Sequence, residues 1–394
     1  MAAAQPKKIL YVGNHAGHFI THRIPIFRAL QQAGYEVHVA LPSHTDQLEK
    51  LMTQNIDLVE KINQLGFHYH QITLDRSSVN PLREIQALTS LYNLFRELKP
   101  DLVFNATIKP IIYGGIISRL ARIPATVNLV SGLGYIFLAD GAKGRVLRTF
   151  ATLAYKAAIG RPNTHTIFQN SDDYQVFIDH NIVTEKTASI VKGSGVNIDE
   201  FSFVPEPAGT PVVILTSRLL WDKGIGEYVK ASQQLRDEGV EARFLLVGDT
   251  DEANPNAIPQ DQLQKWNDDG LVEWLGWRQD VPDLLKQSHI VCLPSYYREG
   301  IPKSLIEAAA CGRPIVTTDS PGCREIVENG KNGFLVKPRD VQDLSDALRK
   351  LLTDAELRRE MGQNSRTLAE TGFSEQAIGA RATEICTKLI DNIK

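Results

Sequence analysis

Short apolar runs alternate with longer amphipathic ones along nearly the whole chain, and the alternation stops once and then restarts. KILYVGN, EVHVALP, DLVFNAT and ATVNLVSG read as strands, with FITHRIPIFRALQQAGY, ALTSLYNLFRELKP and IIYGGIISRLARIP between them as helices. Strand, helix and strand in succession call for parallel pairing, because the chain must cross back over the sheet before the next strand. Over residues 195–211 the pattern breaks into GVNIDEFSFVPEPAGTP, a proline-rich connector. It resumes with VVILTSRLL, GIGEYVKASQQLRDEG, RFLLVGD, LVEWLGW, IVCLPS and PIVTTDS. A chain of 394 residues also exceeds one ordinary core. The expectation is an α/β protein of two Rossmann-like parallel-sheet domains, residues 1–203 and 204–375.

Charge and cysteine usage narrow the partners. The net charge of -3 hides an asymmetry: residues 1–200 carry 20 Lys and Arg against 16 Asp and Glu, and the rest carries 23 against 30. Only the N-terminal half is suited to an anionic surface. No basic run is interleaved with aromatics, so nucleic acid is not an expected partner. Cys292, Cys311, Cys323 and Cys386 show no CxxC spacing and read as buried thiols of a reducing compartment. MAAAQPKKIL runs straight into a strand, which predicts no leader peptide. The longest uncharged run, residues 123–139, is too short and too polar to span a bilayer.

In open parallel sheets, ligands sit beyond the carboxyl ends of the strands. Arg218, Lys223 and Gly224 follow VVILTS, Asp249 follows RFLLVG, and Arg278 and Asp280 follow LVEWLGW. After IVCLPS comes REGIPKSLIEAAACG, with Glu299 and Glu307 eight positions apart and Pro302 between them. Proline suits a helix start and not a helix interior. Glu299 therefore belongs in a loop, the helix opens near Pro302, and Glu307 rides about one turn in. The N–H groups between them make an anion site. Arg218 and Lys223 would neutralise a diphosphate, Glu307 would accept from a ribose diol, and Glu299 would hold a sugar hydroxyl.

These stretches resemble the retaining nucleotide-sugar glycosyltransferases of family 4, which have the GT-B fold. The resemblance rests on EGIPKSLIE, SRLLWDKG and GWRQDV, and in the N-terminal half on GNHAGHFITHR, TIKPIIYGG and SGLGYIF. The N-terminal motifs are similar to those of the bacterial subgroup that builds surface polysaccharides and lipopolysaccharides on polyprenyl diphosphate. The resemblance implies two domains facing across a cleft, with a C-terminal helix at about 376–394 packing back on the first. It implies a UDP-sugar donor carrying a hexose, N-acetylhexosamine or uronic acid, a glycan or lipid-linked acceptor, and no cofactor or metal. Donor contacts are implied from Gly13, Arg218, Lys223, Gly248, Arg278 (near the base), Glu299, Gly300, Ile301, Pro302, Lys303, Ser304, Leu305 and Glu307. Acceptor contacts are implied from Asn14, His15, His18, Lys109 and Gly132. Catalysis would fall to Glu299, Arg218 and Lys223. Many members place a histidine beside the donor sugar where this chain has Ser131 and Gly132. The implied chemistry is same-face attack with the leaving diphosphate taking the acceptor's proton, since no second carboxylate flanks the sugar for double displacement. A UDP-sugar epimerase, a phosphorylase and a non-catalytic nucleotide-sugar binder are the competing readings.

Three stretches carry other possibilities. Asp249-Thr250-Asp251 spells D-x-D, and His18 and His22 have i,i+4 spacing, but neither set is completed by further ligands. Asn329-Gly330 and Asn332-Gly333 read as turn dipeptides. Residues 143–161 form a basic amphipathic stretch, with Val146, Leu147, Phe150, Leu153, Ala154 and Ala157 on one side and Arg145, Arg148 and Lys156 on the other. Such a helix either packs on its sheet or lies in a lipid interface. The second option implies a cytoplasmic enzyme held peripherally on the inner face of the plasma membrane.

Overall fold

The computed structural model describes residues 5–42, 58–75, 80–133, 141–250, 254–298 and 300–393. The chain divides into two compact units, residues 1–194 with 376–394, and residues 195–375. The first holds β1 (Lys8–Val12), β2 (Glu36–Leu41), β3 (His68–Gln71), β4 (Leu102–Ala106), β5 (Ala125–Val130), β6 (Thr164–Phe168) and β7 (Ala188–Ile190). They form one parallel sheet in the order β3-β2-β1-β4-β5-β6-β7. The second holds β8 (Val212–Thr216), β9 (Arg243–Val247), β10 (Glu273–Trp274), β11 (Ile290–Leu293), β12 (Ile315–Thr318) and β13 (Gly333–Val336). Their order is β10-β9-β8-β11-β12-β13, again parallel throughout.

The central strands are buried at every position, as LVFNA and ATVNLV show. A parallel sheet covered by helices on both faces requires such strands. Asn105 Nδ2 of β4 donates to Asn128 Oδ1 of β5 at 3.0 Å. Strand order reverses between β1 and β4 in one sheet and between β8 and β11 in the other. Each reversal opens a crevice at the carboxyl ends of the strands.

The division between units falls after Ser194, ahead of the boundary at 203 that the proline-rich connector suggests. The cause is backbone bonding. Val196 donates to the Phe373 carbonyl at 2.9 Å, Glu375 donates to the Val196 carbonyl at 3.0 Å, and Phe201 is buried in the second core. The last helix, Glu375–Asp391, buries Ile378, Ala382, Cys386 and Ile390 in the first core. Gly379 permits that seat, because a Cβ there would come within 2.7 Å of the Ala29 Cβ.

Other elements depart from the sequence pattern. The first helical stretch is two helices, Ala16–His22 and Ile24–Gln32, broken at Arg23 because Pro25 cannot donate to the preceding turn. Asn332 closes the turn after Asn329-Gly330, and Gly333 opens β13, where a Cβ would meet the Ile315 carbonyl oxygen at 1.9 Å. Asn332 is buried, donating to the Ile326 carbonyl and accepting from the Glu328 amide.

Two imidazoles tie stability to pH. His38 accepts or donates to His70 at 2.9 Å and pairs with Glu36 at 2.8 Å, and burial pushes it down to about 4 against the Glu36 bond. Burial also pushes His165 down to about 4, with Lys388 and Arg381 of the last helix acting in the same direction. A folded-state value below the unfolded one of about 6.5 gives stability that is complete above 6.5 and lost as pH falls toward 4. Thermal melts should therefore show the midpoint falling across that window. His165→Gln should make the fall shallower, and an unchanged slope would remove His165 from this account.

Candidate functional site

In the second unit, the loops after β8 and β11 are bonded to each other. The chain leaving β8 makes a short turn, Trp221–Lys223, and reaches Gly224 at φ 76. A Cβ on Gly224 would lie 2.1 Å from the Pro294 carbonyl oxygen, so only glycine lets the two loops approach. The Asp222 carbonyl accepts from the Tyr296 and Tyr297 amides at 3.0 and 3.1 Å. Lys223 is buried, its ammonium 5.5 Å from the centroid of the Tyr297 ring, and Arg218 beside it is half-buried.

The helix after β11 spans Lys303–Ala310, with Pro302 at its N-cap. Pro302 offers no side-chain cap, and the start of a helix is where backbone N–H groups lack intrahelical partners and suit an anion. Gly300, Ile301, Pro302 and Leu305 are buried, and Lys303 and Ser304 half-buried. Glu307 lies one turn in, 15 % exposed, with Lys303 Nζ 3.8 Å from Oε1. Burial raises its carboxyl above the ordinary range, opposed by Lys303 and aided by Glu200. Glu299 lies outside the described residues.

Gly248, at φ 143, is where β9 meets β8: a Cβ would lie 1.9 Å from the Ser217 carbonyl oxygen. Arg278 is held by both oxygens of Asp280, at 2.8 and 2.6 Å, so its guanidinium is engaged within its own loop. Asp249 accepts from the Thr250 amide, and Asp251 lies outside the described residues. Among the described residues, no group of three or more His, Cys, Asp and Glu is arranged to hold a metal ion.

In the first unit, Gly13, Asn14, His15 and His18 follow β1, Thr107 and Lys109 follow β4, and Gly132 follows β5. Gly13 is buried where a Cβ would meet the Tyr11 ring at 2.6 Å. The His15 side chain caps the Ala16–His22 helix, accepting from the His18 amide at 3.1 Å. The His18 and His22 rings sit 4.8 Å apart. Lys109 is paired with Glu84 at 2.9 Å, and Tyr113 donates to the other oxygen of that carboxylate at 2.5 Å. Its ammonium serves the fold in this structure. Gly132 takes φ 132, a conformation that favours glycine.

Three features escaped sequence reasoning. Tyr297 lies beneath Lys223, Tyr296 carries the Arg339 guanidinium 4.3 Å above its ring, and Arg23 is buried within 3.4 Å of His18 Nε2. The adjacent aromatics in PSYYREG, at a strand end, were the available signal for the first two. Arg23 gave none, because its burial follows from the helix break.

The two parallel-sheet units have the GT-B fold of solved glycosyltransferases. Residues 197–368 match the family model described as glycosyl transferases group 1, and residues 8–159 match the glycosyl transferase 4-like model. The chain is 29% identical to the N,N'-diacetylbacillosaminyl-diphospho-undecaprenol alpha-1,3-N-acetylgalactosaminyltransferase of Campylobacter jejuni, across 96% of this chain and 98% of that one. It is 23% identical to the UDP-Gal:alpha-D-GlcNAc-diphosphoundecaprenol alpha-1,3-galactosyltransferase of Escherichia coli, across 89% and 91%. Anabaena HepE, solved in complex with UDP, superposes with a TM-score of 0.73 at 20% identity, across 97% of this chain and 100% of that one.

The raised carboxyl of Glu307 has a consequence for stability. Burial disfavours this charge, so the contribution of Glu307 to stability is best at low pH and is lost as pH rises through the folded-state value. Glu307→Gln should raise the melting midpoint of the ligand-free protein at pH 7 and leave it nearly unchanged at pH 4. A lower midpoint at pH 7 would mean that the carboxylate is a net stabiliser.

Proposed function

We propose that this chain moves a hexose, N-acetylhexosamine or uronic acid from a UDP-sugar to a polyprenyl-diphosphate-linked or related glycan acceptor, as a retaining family 4 enzyme of bacterial surface polysaccharide synthesis. The observation that carries the reading is the bonding of the two loops at the β8–β11 reversal; one of them carries Arg218 and Lys223, and the other leads into the Lys303–Ala310 helix. The names of the Campylobacter and Escherichia relatives support the lipid-linked acceptor, and the HepE complex supports UDP.

In this reading the diphosphate lies against Arg218, Lys223 and the helix amides. The ribose hydroxyls donate to Glu307, and the main chain from Gly300 to Leu305 lines the sugar-phosphate junction. Glu299 takes a donor-sugar hydroxyl. As the glycosidic bond breaks, negative charge grows on the leaving phosphate oxygen, and the fixed cations and amides stabilise it without a metal. The acceptor hydroxyl attacks from the same face and passes its proton to that oxygen. Lys223→Ala or Arg218→Ala should cost roughly 10²–10³ in rate. Glu299→Gln should cut transfer while leaving UDP affinity nearly intact.

A transfer assay tests this with UDP-sugars, a polyprenyl-diphosphate-linked glycan and excess EDTA. The expected product carries the donor's anomeric configuration by NMR. Loss of activity in EDTA sinks the metal-free reading, and an inverted product sinks retention.

We place the first unit at an anionic leaflet. On the Gly141–Ile159 helix, Tyr155, Ala158 and Ile159 face the core. The row read from sequence as one apolar side points outward, with Val146 at 56%, Phe150 at 68% and Leu153 at 58% exposure, beside exposed Arg145 and Lys156 and half-buried Arg148. Apolar and basic groups on one exposed surface suit insertion at a lipid headgroup boundary, with each Lys or Arg near the surface contributing about 1 kcal/mol. No helix among the described residues is long and apolar enough to cross a membrane. In liposome flotation the wild type should rise with anionic vesicles, and the variant with Arg145, Arg148 and Lys156 all changed to Glu should stay down. If both float, or neither does, this helix is not the docking element.

A further inference from the structure

Thr107 stands one residue past β4, at the point where the first sheet reverses its strand order. Its backbone lies at φ 74, ψ 165. That region is occupied almost only by glycine, and a β-branched side chain held there is strained. The other non-glycine residues with positive φ, among the described residues, are Lys99, Arg122, Asn163, Asn181 and Arg339, and none is β-branched. Something in the fold therefore holds Thr107 against its preference.

What holds it is not helix capping. Thr107 occupies the N-cap of the Ile108–Leu120 helix, yet its hydroxyl makes no capping bond. The hydroxyl instead donates to Asn14 Oδ1 at 2.9 Å. Asn14 follows β1, so this bond joins the carboxyl ends of the two strands that flank the reversal. With Oδ1 taken, the Asn14 amino group turns away from Thr107. Asn14 is half-buried, and among the described residues its Nδ2 makes no hydrogen bond.

We propose that Thr107 is a positioning residue, whose strained backbone aims its hydroxyl at Asn14 and so presents Asn14 Nδ2 as a fixed donor to a hydroxyl oxygen of the acceptor glycan. A neutral donor suits a hydroxyl better than a phosphate. The cation nearest in sequence, Lys109, is spent on Glu84. The strain is what aims the hydroxyl across the crevice: a relaxed Thr107 would direct it at its own helix, as N-cap threonines do. This inference rests on the glycosyltransferase reading above.

The test combines stability with steady-state kinetics on the full chain. Thr107→Gly relieves the strain and removes the hydroxyl, so it should raise the melting midpoint while raising the acceptor KM about tenfold, the effect of one lost hydrogen bond. Thr107→Val keeps shape and strain, and should raise the acceptor KM by a similar factor without a gain in midpoint. Thr107→Ser should restore the acceptor KM to within about twofold of wild type. Donor KM should stay unchanged in all three. A merely structural threonine would not move stability and acceptor KM in these opposed directions. The proposal is overturned if Thr107→Gly lowers the midpoint, or if Thr107→Val leaves the acceptor KM at the wild-type value. Wild-type protein inactive with every lipid-linked or soluble glycan acceptor would instead overturn the functional reading, and the inference with it.

Discussion

The β8–β11 crevice depends on one close approach, the Gly224 backbone lying against the Pro294 carbonyl. β8 and β11 are neighbours in the sheet, but their carboxyl-terminal loops lead to different helices. They come together because Gly224, at φ 76, has no side chain to hold them apart. The Asp222 carbonyl then takes both tyrosine amides, and Tyr297 comes under the Lys223 ammonium. One of these loops carries Arg218 and Lys223, and the other leads into the Lys303–Ala310 helix. Any side chain at Gly224 would have to displace backbone, not the tip of a flexible side chain.

The sites are built from groups that the fold alone would not choose. Glu307 is a carboxylate whose burial disfavours its charge, and Lys223 is buried. Arg23 is buried deeply enough to be pushed down to about 10, with the Tyr11 hydroxyl opposing the shift. Thr107 is strained. All four lie at or close to the carboxyl ends of strands or the helices that follow them. Buried charge and strain are costly unless a ligand or a fixed partner offsets them.

The architecture was legible because its cause is local. A parallel sheet with both faces covered needs continuous apolar strands, and VVILT and IVCL carry that pattern in the sequence. The helix at Lys303 was legible for the same reason: Pro302 dictates where it starts. Strands β3, β6, β7 and β13 were not legible, since HYHQ and THTIF mix polar with apolar residues and gain their pairing only from neighbours. Which way the apolar row of the Gly141–Ile159 helix points was not legible, because amphipathicity does not say which face meets the core. Thr107 left no trace, because a φ value is a property of the assembled fold, and the tyrosines showed only their adjacency in PSYYREG, since cross-loop contacts form in the fold.

The central claim is that the β8–β11 crevice holds a nucleoside diphosphate through fixed cations and helix amides. Calorimetric titration of UDP in EDTA tests it most directly, using wild type and Lys223→Ala. The account predicts binding by the wild type and affinity at least tenfold weaker in the variant, as expected for a lost charge-assisted contact. Equal affinity in the two proteins, or binding that vanishes once metal is removed, would contradict it.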